Sequence, residues 1–330
     1  MPSILLFGVT GLVGSHVVLA LKKKYPNFPL TVYLRNATID TYLRATVGVS
    51  RIEHGTYDEV ERIASLAKDH DIVINVGSSW DTGLSEAIVD GLSKRDSGKK
   101  TILIHMSGTG NFVETRWNDG ATHAESKIWH DDDSEDIKLI NPKMLNGGPD
   151  TVVYEAGKSG TIETYVIYPP IIYGRAAGPV SALGIIQYFM HLKVKELGFI
   201  PYIGDGTAIT NAVHVHAVVD FVMLVLTQSL GEDEPQKSVY ERVYFIGGTE
   251  TPWKNVSNWF AEAFFNLGIS GEKKARSVTL EEAGEGEIPM LMSHDMRFTT
   301  RRAEKLGYGG NVESEQLREF LSHGSNIFTA

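Results

Sequence analysis

The chain has no cysteine among its 330 residues. Disulfide bonds, thiolate nucleophiles and cysteine-ligated metal sites are therefore excluded, and the composition fits a reducing compartment. Positive charge is also scarce, because 31 Lys and Arg stand against 41 Asp and Glu and leave a net charge of −10. Nucleic acids and anionic membrane surfaces bind clustered Lys and Arg, so we expect neither as a partner.

The sequence also lacks an apolar run long enough to span a bilayer. The longest late run, from Ala217 to Leu226, is interrupted by Asp220 and is too short. The start, Met1-Pro2-Ser3, carries no basic residues before its short apolar stretch. This pattern predicts a first strand and not a signal peptide, and we expect a cytoplasmic protein with no membrane partner.

The stretch from Ser3 to Gly14 is the first that carries chemistry. A short apolar segment leads into glycines at 8, 11 and 14, and a helix-like segment follows. Gly8 would form the sharp turn, Gly11 would let a phosphate approach, and Gly14 would allow close helix–strand packing. The unpaired N–H groups of the helix N-terminus suit a pyrophosphate. The pattern favours a dinucleotide-binding turn over a purely structural one.

This turn, G-x-T-G-x-x-G, resembles that of the extended short-chain dehydrogenase/reductase family, which holds NAD(P)-dependent epimerases, dehydratases and dihydroflavonol-type reductases. Later segments extend the resemblance over most of residues 1–220, in order and spacing: DIVINV at 71–76, IHMSG at 104–108, YPPIIYG at 168–174, GDG at 204–206 and NAVHV at 211–215. Strand-like and helix-like segments alternate through this region, which predicts a parallel sheet covered on both faces.

The resemblance implies an α/β fold: a Rossmann-type doubly wound parallel sheet with a smaller C-terminal substrate lobe. We expect the NAD(P)-binding domain in residues 1–175 and the substrate lobe in 176–330, partly interleaved with it. The residues expected to bind the dinucleotide are Gly8, Thr10, Gly11, Leu12, Val13, Gly14, Arg35, Asn36, Tyr57, Asp58, Asn75, Val76, Gly77, Ser107, Pro169 and Ile171.

Arg35 and Asn36 follow the second predicted strand, Leu30–Leu34. At this point an acidic residue favours NAD by binding the ribose hydroxyls, whereas an Arg accommodates the 2′-phosphate of NADP. The Arg stands 21 residues after Gly14, and the nearest acid is Asp40. A guanidinium matches a phosphate well, so NADP(H) is favoured over NAD(H). A solvated Arg at a strand end is the alternative.

Tyr154 and Lys158 match the Tyr-x-x-x-Lys pair of the family. In the family the Tyr hydroxyl exchanges a proton with the substrate oxygen, the Lys lowers the Tyr pKa and holds the ribose, and a Ser, here Ser107, orients the substrate. The spacing argues against this pair, because the strand into the prolines begins almost directly after Lys158. Counted back from the prolines, the family's Tyr and Lys would fall near Pro142 and Asn146, which cannot do this work.

Two interpretations of Tyr154 therefore stay open: a proton donor, or a Tyr packed at the end of the helix that feeds the next strand. Without the pair, the proton would come from Ser107, Tyr173, Tyr202, an acid of the second lobe or water. Ser107 is favoured, because it ends a strand at the expected edge of the sheet.

Two clusters contain residue types that bind metals, and we predict no metal site at either. His130–Asp133 has no second group of ligands nearby in the sequence, so a solvated acidic loop is expected. His214 and His216 alternate on an extended segment but lack a third ligand, so a structural role is expected.

The leading hypothesis is an NADPH-dependent oxidoreductase that reduces a carbonyl or related group of a small molecule in the cleft between lobes. A second is an epimerase, dehydratase or isomerase that keeps NAD(P) bound and returns the hydride. A third is a dinucleotide sensor that has lost the chemistry, as the doubtful Tyr–Lys pair would allow. Family members are often dimers, so a homodimer is one expectation.

Overall fold

The computed structural model describes residues 1–96, 98, 101–113, 127–231, 238–248, 250–309 and 314–323. The strands are β1 Ile4–Phe7, β2 Leu30–Leu34, β3 Arg51–His54, β4 Ile72–Asn75, β5 Thr101–Met106, β6 Ile128–His130, β7 Ile162–Tyr168, β8 Ile171–Tyr173, β9 Pro201–Ile203, β10 Ile209–His214, β11 Val243–Phe245, β12 Glu250–Pro252, β13 Arg276–Val278 and β14 Arg297–Thr299.

The helices are α1 Leu12–Lys24, α2 Asp40–Tyr42, α3 Val60–Lys68, α4 Thr82–Ser93, α5 Ser134–Lys138, α6 Gly147–Lys158, α7 Ile185–Leu197, α8 Val215–Ser229, α9 Trp253–Asn266, α10 Leu280–Ala283, α11 Glu287–Ser293, α12 Arg301–Leu306 and α13 Ser314–His323. Leu43–Val47 is a π-helical turn, and Thr109–Phe112 and Val239–Arg242 are 3-10 turns. Within the described ranges, no helix is both long and apolar enough to cross a membrane.

Seven parallel strands form the central sheet in the order β11-β7-β5-β4-β1-β2-β3. The chain runs outward from β1 to β3 and then returns to place β4 on the other side of β1. A crevice forms where the strand order reverses, beyond the carboxyl ends of β1 and β4, and ligands bind there in doubly wound folds. The predicted Rossmann-type sheet is confirmed.

The sheet is covered on both faces because its strands are apolar throughout. Ile4 and Leu6 of β1 point into one core, whereas Leu5 and Phe7 point into the other, as the alternation of a strand requires. Helices α1 and α8 cover the first face. Helices α3, α4 and α6 cover the second.

The C-terminal half contributes to both regions of the molecule. Helix α8 and strand β11 come from beyond residue 176 and complete the layer around the central sheet. A third core gathers the side chains of α7, α9 and the small strands around them, among them Ile186, Trp253 and Phe260. The chain therefore crosses between the two regions more than once.

One predicted strand is shorter than expected. The apolar and aromatic residues of Tyr240–Gly247 predict a strand, but the structure has β11 at Val243–Phe245 only. The preceding residues form the 3-10 turn Val239–Arg242, which Ser238 and Glu241 stabilise through a reciprocal capping box. The capping interactions favour a 3-10 turn over these residues, although their apolar pattern predicts a strand.

The expectation of a solvated acidic loop at His130–Asp133 is wrong for Asp131, which is 0% exposed. Its carboxylate accepts the N–H groups of Arg302 at 2.9 Å and Ala303 at 3.0 Å, at the start of α12. Those N–H groups have no carbonyl partner within the helix, so a buried carboxylate satisfies them. Asp131 ties β6 to α12.

The burial of Asp131 predicts an unusual pH dependence of stability. Loss of solvation raises the pKa of this carboxyl to about 6, although the backbone N–H groups oppose the shift. The folded chain thus holds the proton more tightly than the unfolded chain, where the pKa is about 3.9. Ionisation should therefore destabilise the fold as pH rises from about 4 to about 6, by about 3 kcal/mol in total.

Urea unfolding of the wild type and of Asp131→Asn across this pH range measures the effect. We expect the free energy of unfolding of the wild type, relative to the variant, to be highest at the acid end and to fall toward neutrality. Parallel curves for the two proteins would show that Asp131 keeps an ordinary affinity for its proton.

Candidate functional site

The glycine turn between β1 and α1 leaves no room for side chains at two of its positions. Gly8 has a positive φ of 93°, and a Cβ there would lie 2.6 Å from the carbonyl oxygen of Val76. A Cβ on Gly14 would lie 2.0 Å from the carbonyl oxygen of Gly8. Gly11, the N-cap of α1, provides no side-chain cap for the first turn. The turn therefore brings the bare N-terminus of α1 to the edge of the sheet.

A cleft of about 500 Å³ opens from this turn toward the ends of β2 and β3. Arg35, Tyr57 and Asp58 line its far part, and Gly8, Thr10 and Gly11 line the part beside the turn. Arg35 is exposed, so its guanidinium can meet a ligand from solvent. The cleft is polar, as the sugar–phosphate part of a nucleotide requires.

A second cavity, of about 380 Å³, continues from the other side of the turn. The two share Gly11, Val76 and Gly77, so they form one groove across the carboxyl ends of the strands. The side chains around the second cavity are largely apolar, among them Met106, Leu145, Ile186, Trp253, Leu291 and Met296. Among the described residues that line it, none is charged.

Most of the residues expected to bind the dinucleotide line this groove. They are Gly8, Thr10, Gly11, Leu12, Val13, Arg35, Tyr57, Asp58, Val76, Gly77, Ser107, Pro169 and Ile171. The other three, Gly14, Asn36 and Asn75, do not. Gly14 packs beneath the turn, Asn36 is exposed and bonds to Thr38, and Asn75 is buried behind the groove.

The structure does not bring Tyr154 and Lys158 to the groove. Tyr154 is 4% exposed, and its hydroxyl lies 2.7 Å from that of Tyr168. Burial and the nearby Asp150 raise the pKa of Tyr154 well above its usual value, which disfavours a phenolate. Lys158 is on the surface, where its ammonium pairs with Glu155. Neither residue lines the groove in this structure.

The positions counted back from the prolines fall before α6 begins. Asn146 is the N-cap residue of that helix and lines the apolar cavity. Its side-chain amide donates to the hydroxyl and the carbonyl oxygen of Ser79, at 3.0 and 3.2 Å. A neutral amide therefore stands where the resemblance would place the Lys, and it cannot supply positive charge.

Ser107 lines the apolar cavity, and its hydroxyl donates to the carboxylate of Asp150 at 2.9 Å. The same oxygen, Oδ2, accepts the amide of Asn111 at 2.7 Å and the hydroxyl of Tyr168 at 2.6 Å. Asp150 is 0% exposed. A buried carboxylate with three donors thus lies one hydrogen bond away from the cavity.

His105 faces the other oxygen of this carboxylate. Its Nε2 lies 3.5 Å from Oδ1 of Asp150, and both side chains are almost fully buried. Asn75 and His105 are direct neighbours in the register of β4 and β5, and their side chains meet at 3.2 Å. The sheet register therefore assembles a chain of polar groups behind Ser107.

Sequence reasoning missed His105, Asn111, Asp150 and Tyr168. His105 stands two residues before Ser107, so the alternation of a strand could have placed both on one face. Asp150 offered no such signal, because an Asp in the first turn of a helix is common and usually solvated. The connection depends on the packing of α6 against β5 and β7.

The other groups considered as proton donors lie away from the cavity lining. Tyr173 is buried in the third core, and burial raises its pKa to about 12. Tyr202 lies beneath the ammonium of Lys254.

The two histidines considered as metal ligands lie at the start of α8. His214 Nδ1 accepts the N–H of His216 and caps this helix, which is a structural role. Over the described residues, no group of three His, Asp or Glu side chains could hold a metal ion.

No family model matches the chain. The oxidase ucsJ of Acremonium sp is 21% identical over 291 residues, which are 84% of this chain and 82% of that protein. A dTDP-glucose 4,6-dehydratase of Streptomyces venezuelae, solved as a double mutant with NAD and DAU, has a TM-score of 0.67 at 16% identity and covers 99% of this chain and 96% of its own.

A UDP-glucuronic acid 4-epimerase of Bacillus cereus, solved with NAD, has a TM-score of 0.64 at 14% identity and covers 99% of this chain and 98% of its own. At these identities the solved structures show the fold. The chain has the fold of the extended short-chain dehydrogenases/reductases over its length, and the resemblance predicted from the sequence is confirmed at that level.

Proposed function

We propose that this protein is an NADP(H)-dependent oxidoreductase that interconverts a carbonyl and an alcohol on an apolar small molecule. One observation carries the proposal: the polar cleft beside Arg35 and the apolar cavity beside Ser107 form one groove that passes the glycine turn. A dinucleotide has the same division into a charged phosphate part and a less polar ring at its end. Bound there, a nicotinamide cofactor supplies or accepts a hydride.

The residues present fit such a cofactor. The uncapped first turn of α1 and the bare backbone at Gly11 suit a pyrophosphate, because its charge meets unpaired N–H groups. Arg35 at the end of β2 suits a 2′-phosphate, and the residue that follows it is Asn36 and not an acid, although the carboxylates of Asp58 and Asp81 line the same cleft. The solved neighbours bind NAD, which supports a nicotinamide dinucleotide in general. The preference for NADP(H) rests on Arg35.

The cavity indicates the class of substrate. Its described lining carries no charge and presents mostly aliphatic, Met and Trp side chains. Burial of apolar ligand surface is favourable there, whereas a sugar or a diphosphate would lose hydration without gaining charged partners. Ser107 and Asn146 are among the few polar groups that could orient one oxygen. The substrate is therefore an apolar molecule with one reacting oxygen.

A second candidate is an epimerase or dehydratase that keeps its cofactor and returns the hydride. The names of the solved neighbours favour it. A non-catalytic sensor is a third candidate, and the absence of Tyr154 and Lys158 from the groove supports it. The three candidates differ in what happens to the cofactor. An oxidoreductase consumes it in proportion to product, an epimerase or dehydratase regains it in each turnover, and a sensor leaves it unchanged.

The experiment follows nicotinamide absorbance with NADPH and a panel of apolar ketones, such as acetophenone and 2-decalone, and with NADP⁺ and the matching alcohols. We expect stoichiometric turnover of cofactor with at least one pair. In parallel, dTDP-glucose and UDP-glucuronic acid are incubated with the protein and separated by chromatography. Conversion of a sugar nucleotide without net change in cofactor would overturn the proposal in favour of the second candidate.

A further inference from the structure

We propose that Asp150 is the group that takes up and returns the substrate proton, through the hydroxyl of Ser107. The inference rests on the proposed function and assigns a part in proton transfer to a residue that is not a member of the Tyr–Lys pair, although it lies in the same helix. Asp150 is fully buried in α6, and Ser107 stands between it and the apolar cavity. Three observations lead to this assignment: the orientation of the donors, the tautomer of His105 and the single exit of the network.

The donors to Asp150 are held in fixed orientations. The side-chain oxygen of Asn111 accepts the backbone N–H of Asn146 at 2.6 Å, so its amide nitrogen must be the group that donates to Asp150. Tyr168 also donates to Asp150, and Tyr154 lies behind it as the next hydroxyl. Burial and Asp150 raise the pKa of Tyr168 well above its usual value, so it stays a neutral donor.

The orientation of Asn75 fixes His105. The backbone N–H of Gly77 donates to the side-chain oxygen of Asn75 at 3.1 Å, so the amide nitrogen of Asn75 points to Nδ1 of His105. Nδ1 therefore accepts, and the ring proton lies on Nε2. That N–H faces Oδ1 of Asp150 at 3.5 Å. The three groups bonded to Oδ2 thus all donate to it, whereas Oδ1 and the Nε2 of His105 make no hydrogen bond within the described part of the chain.

Ser107 is the exit from this network to the groove. Asn111 cannot give up its amide proton, and Tyr168 leads only to Tyr154, which is buried. Among the described partners of Oδ2, Ser107 is the one that lines the cavity. Its hydrogen points inward to Asp150, so its oxygen lone pairs are left for a ligand. An alcohol O–H is the ligand group that such an acceptor favours.

The proton path balances with hydride transfer. In the oxidation direction the carbinol C–H bond would break and the C=O bond would form, with the hydride going to a bound nicotinamide. The substrate O–H proton passes to Oγ of Ser107, while the proton that Ser107 already holds passes to Oδ2 of Asp150. In the reduction direction both protons move back, and Ser107 donates to the new alkoxide. When the product leaves, Ser107 returns the proton of Asp150 to water.

Carbon-13 NMR of the NADP⁺ complex, labelled at Asp carboxyl carbons, tests whether Asp150 is linked to the cavity through Ser107. Asp150→Asn identifies the signal by its loss. We expect the signal of this carboxyl to shift when the alcohols of the panel are added, because their O–H group would bond to the hydroxyl that donates to Asp150. The shift should be absent in Ser107→Ala and kept in Asp131→Asn. A signal that does not respond to the alcohols in the wild type would overturn the proposal.

Turnover of the ketone–alcohol pair that the panel identifies gives a second test. Asp150→Asn should lower kcat roughly 100-fold or more while the dissociation constant of NADPH stays unchanged. The matched control is Asp131→Asn, which also neutralises a fully buried carboxyl but lies away from the groove. It should keep kcat within about twofold. Full activity in Asp150→Asn would overturn the proposal and leave the proposed function intact.

A failure of the proposed function would give results different from a failure of the proposal about Asp150. If the wild type binds neither nucleotide, the oxidoreductase assignment fails whatever Asp150 does. If it binds NADPH but converts no ketone, the response of the Asp150 signal to the added alcohols decides the proposal. Melting temperatures of all variants show whether a loss of activity reflects a loss of folding.

Discussion

Replacing Arg35 with Ala should weaken NADPH binding by about 10- to 100-fold, because a charge-assisted contact to the 2′-phosphate is worth about 1.5–3 kcal/mol. NADH has no such phosphate, so its dissociation constant should change little. Arg35→Asp should reverse the preference, since a carboxylate at the end of β2 repels the phosphate and can accept ribose hydroxyls. The ratio of the two dissociation constants, measured by titration, reports the effect.

Arg318→Ala is the matched control for this prediction. Arg318 is likewise exposed but belongs to α13, which does not line the groove. It should leave both dissociation constants unchanged. If Arg35→Ala alters NADPH and NADH binding equally, Arg35 contributes general charge and does not recognise the 2′-phosphate.

A methyl group at Gly11 should weaken the binding of both nucleotides by roughly 10- to 100-fold, because a clash of this kind costs about 1–3 kcal/mol. Gly11 has a backbone conformation that Ala can adopt, and its Cβ would lie 3.3 Å from the carbonyl oxygen of Gly8. The fold should therefore tolerate Gly11→Ala. The added methyl occupies the place where both halves of the groove meet.

Gly14→Ala separates the structural part of the turn from its binding part. Its Cβ would overlap the backbone of Gly8, so helix α1 would have to move from β1. We expect a lower melting temperature as well as lost binding. Gly83→Ala is the control, because its Cβ would meet Asp81 at an ordinary 3.5 Å within α4. Unchanged nucleotide affinity in Gly11→Ala would show that no phosphate approaches the turn there.

The fold could be predicted from the sequence because its signals are local. A buried strand must be apolar along its length, and Leu30–Leu34 and Thr101–Met106 have the observed bounds of β2 and β5. The glycine turn is local as well, since a positive φ at Gly8 and close packing at Gly14 each demand a residue without a side chain. These strands and the glycine turn also position the residues that line the polar cleft.

The polar groups behind the cavity could not be predicted, because they depend on contacts between distant segments. Asp150 contacts Ser107 and Asn111, which lie 43 and 39 residues before it in the sequence. Asp131 was misjudged for the same reason, since its partners Arg302 and Ala303 lie more than 170 positions away. A carboxylate in a polar stretch is usually solvated, and only tertiary packing shows the exception.

For Tyr154 the sequence predicts the position of the side chain but not its partners. The short distance from Lys158 to the prolines indicated that the motif stood at the end of its helix, and α6 does end at Lys158. Spacing could place the pair away from the apolar cavity. It could not reveal that Tyr154 supports Tyr168, which in turn donates to Asp150.

Titration of the wild-type protein with NADPH and with NADH, followed by nicotinamide fluorescence, tests whether the groove binds a nicotinamide dinucleotide. We expect saturable binding of one nucleotide per chain, with NADPH bound more tightly than NADH. If neither nucleotide binds, the glycine turn, Arg35 and the groove between them have no common ligand, and the proposed function is wrong.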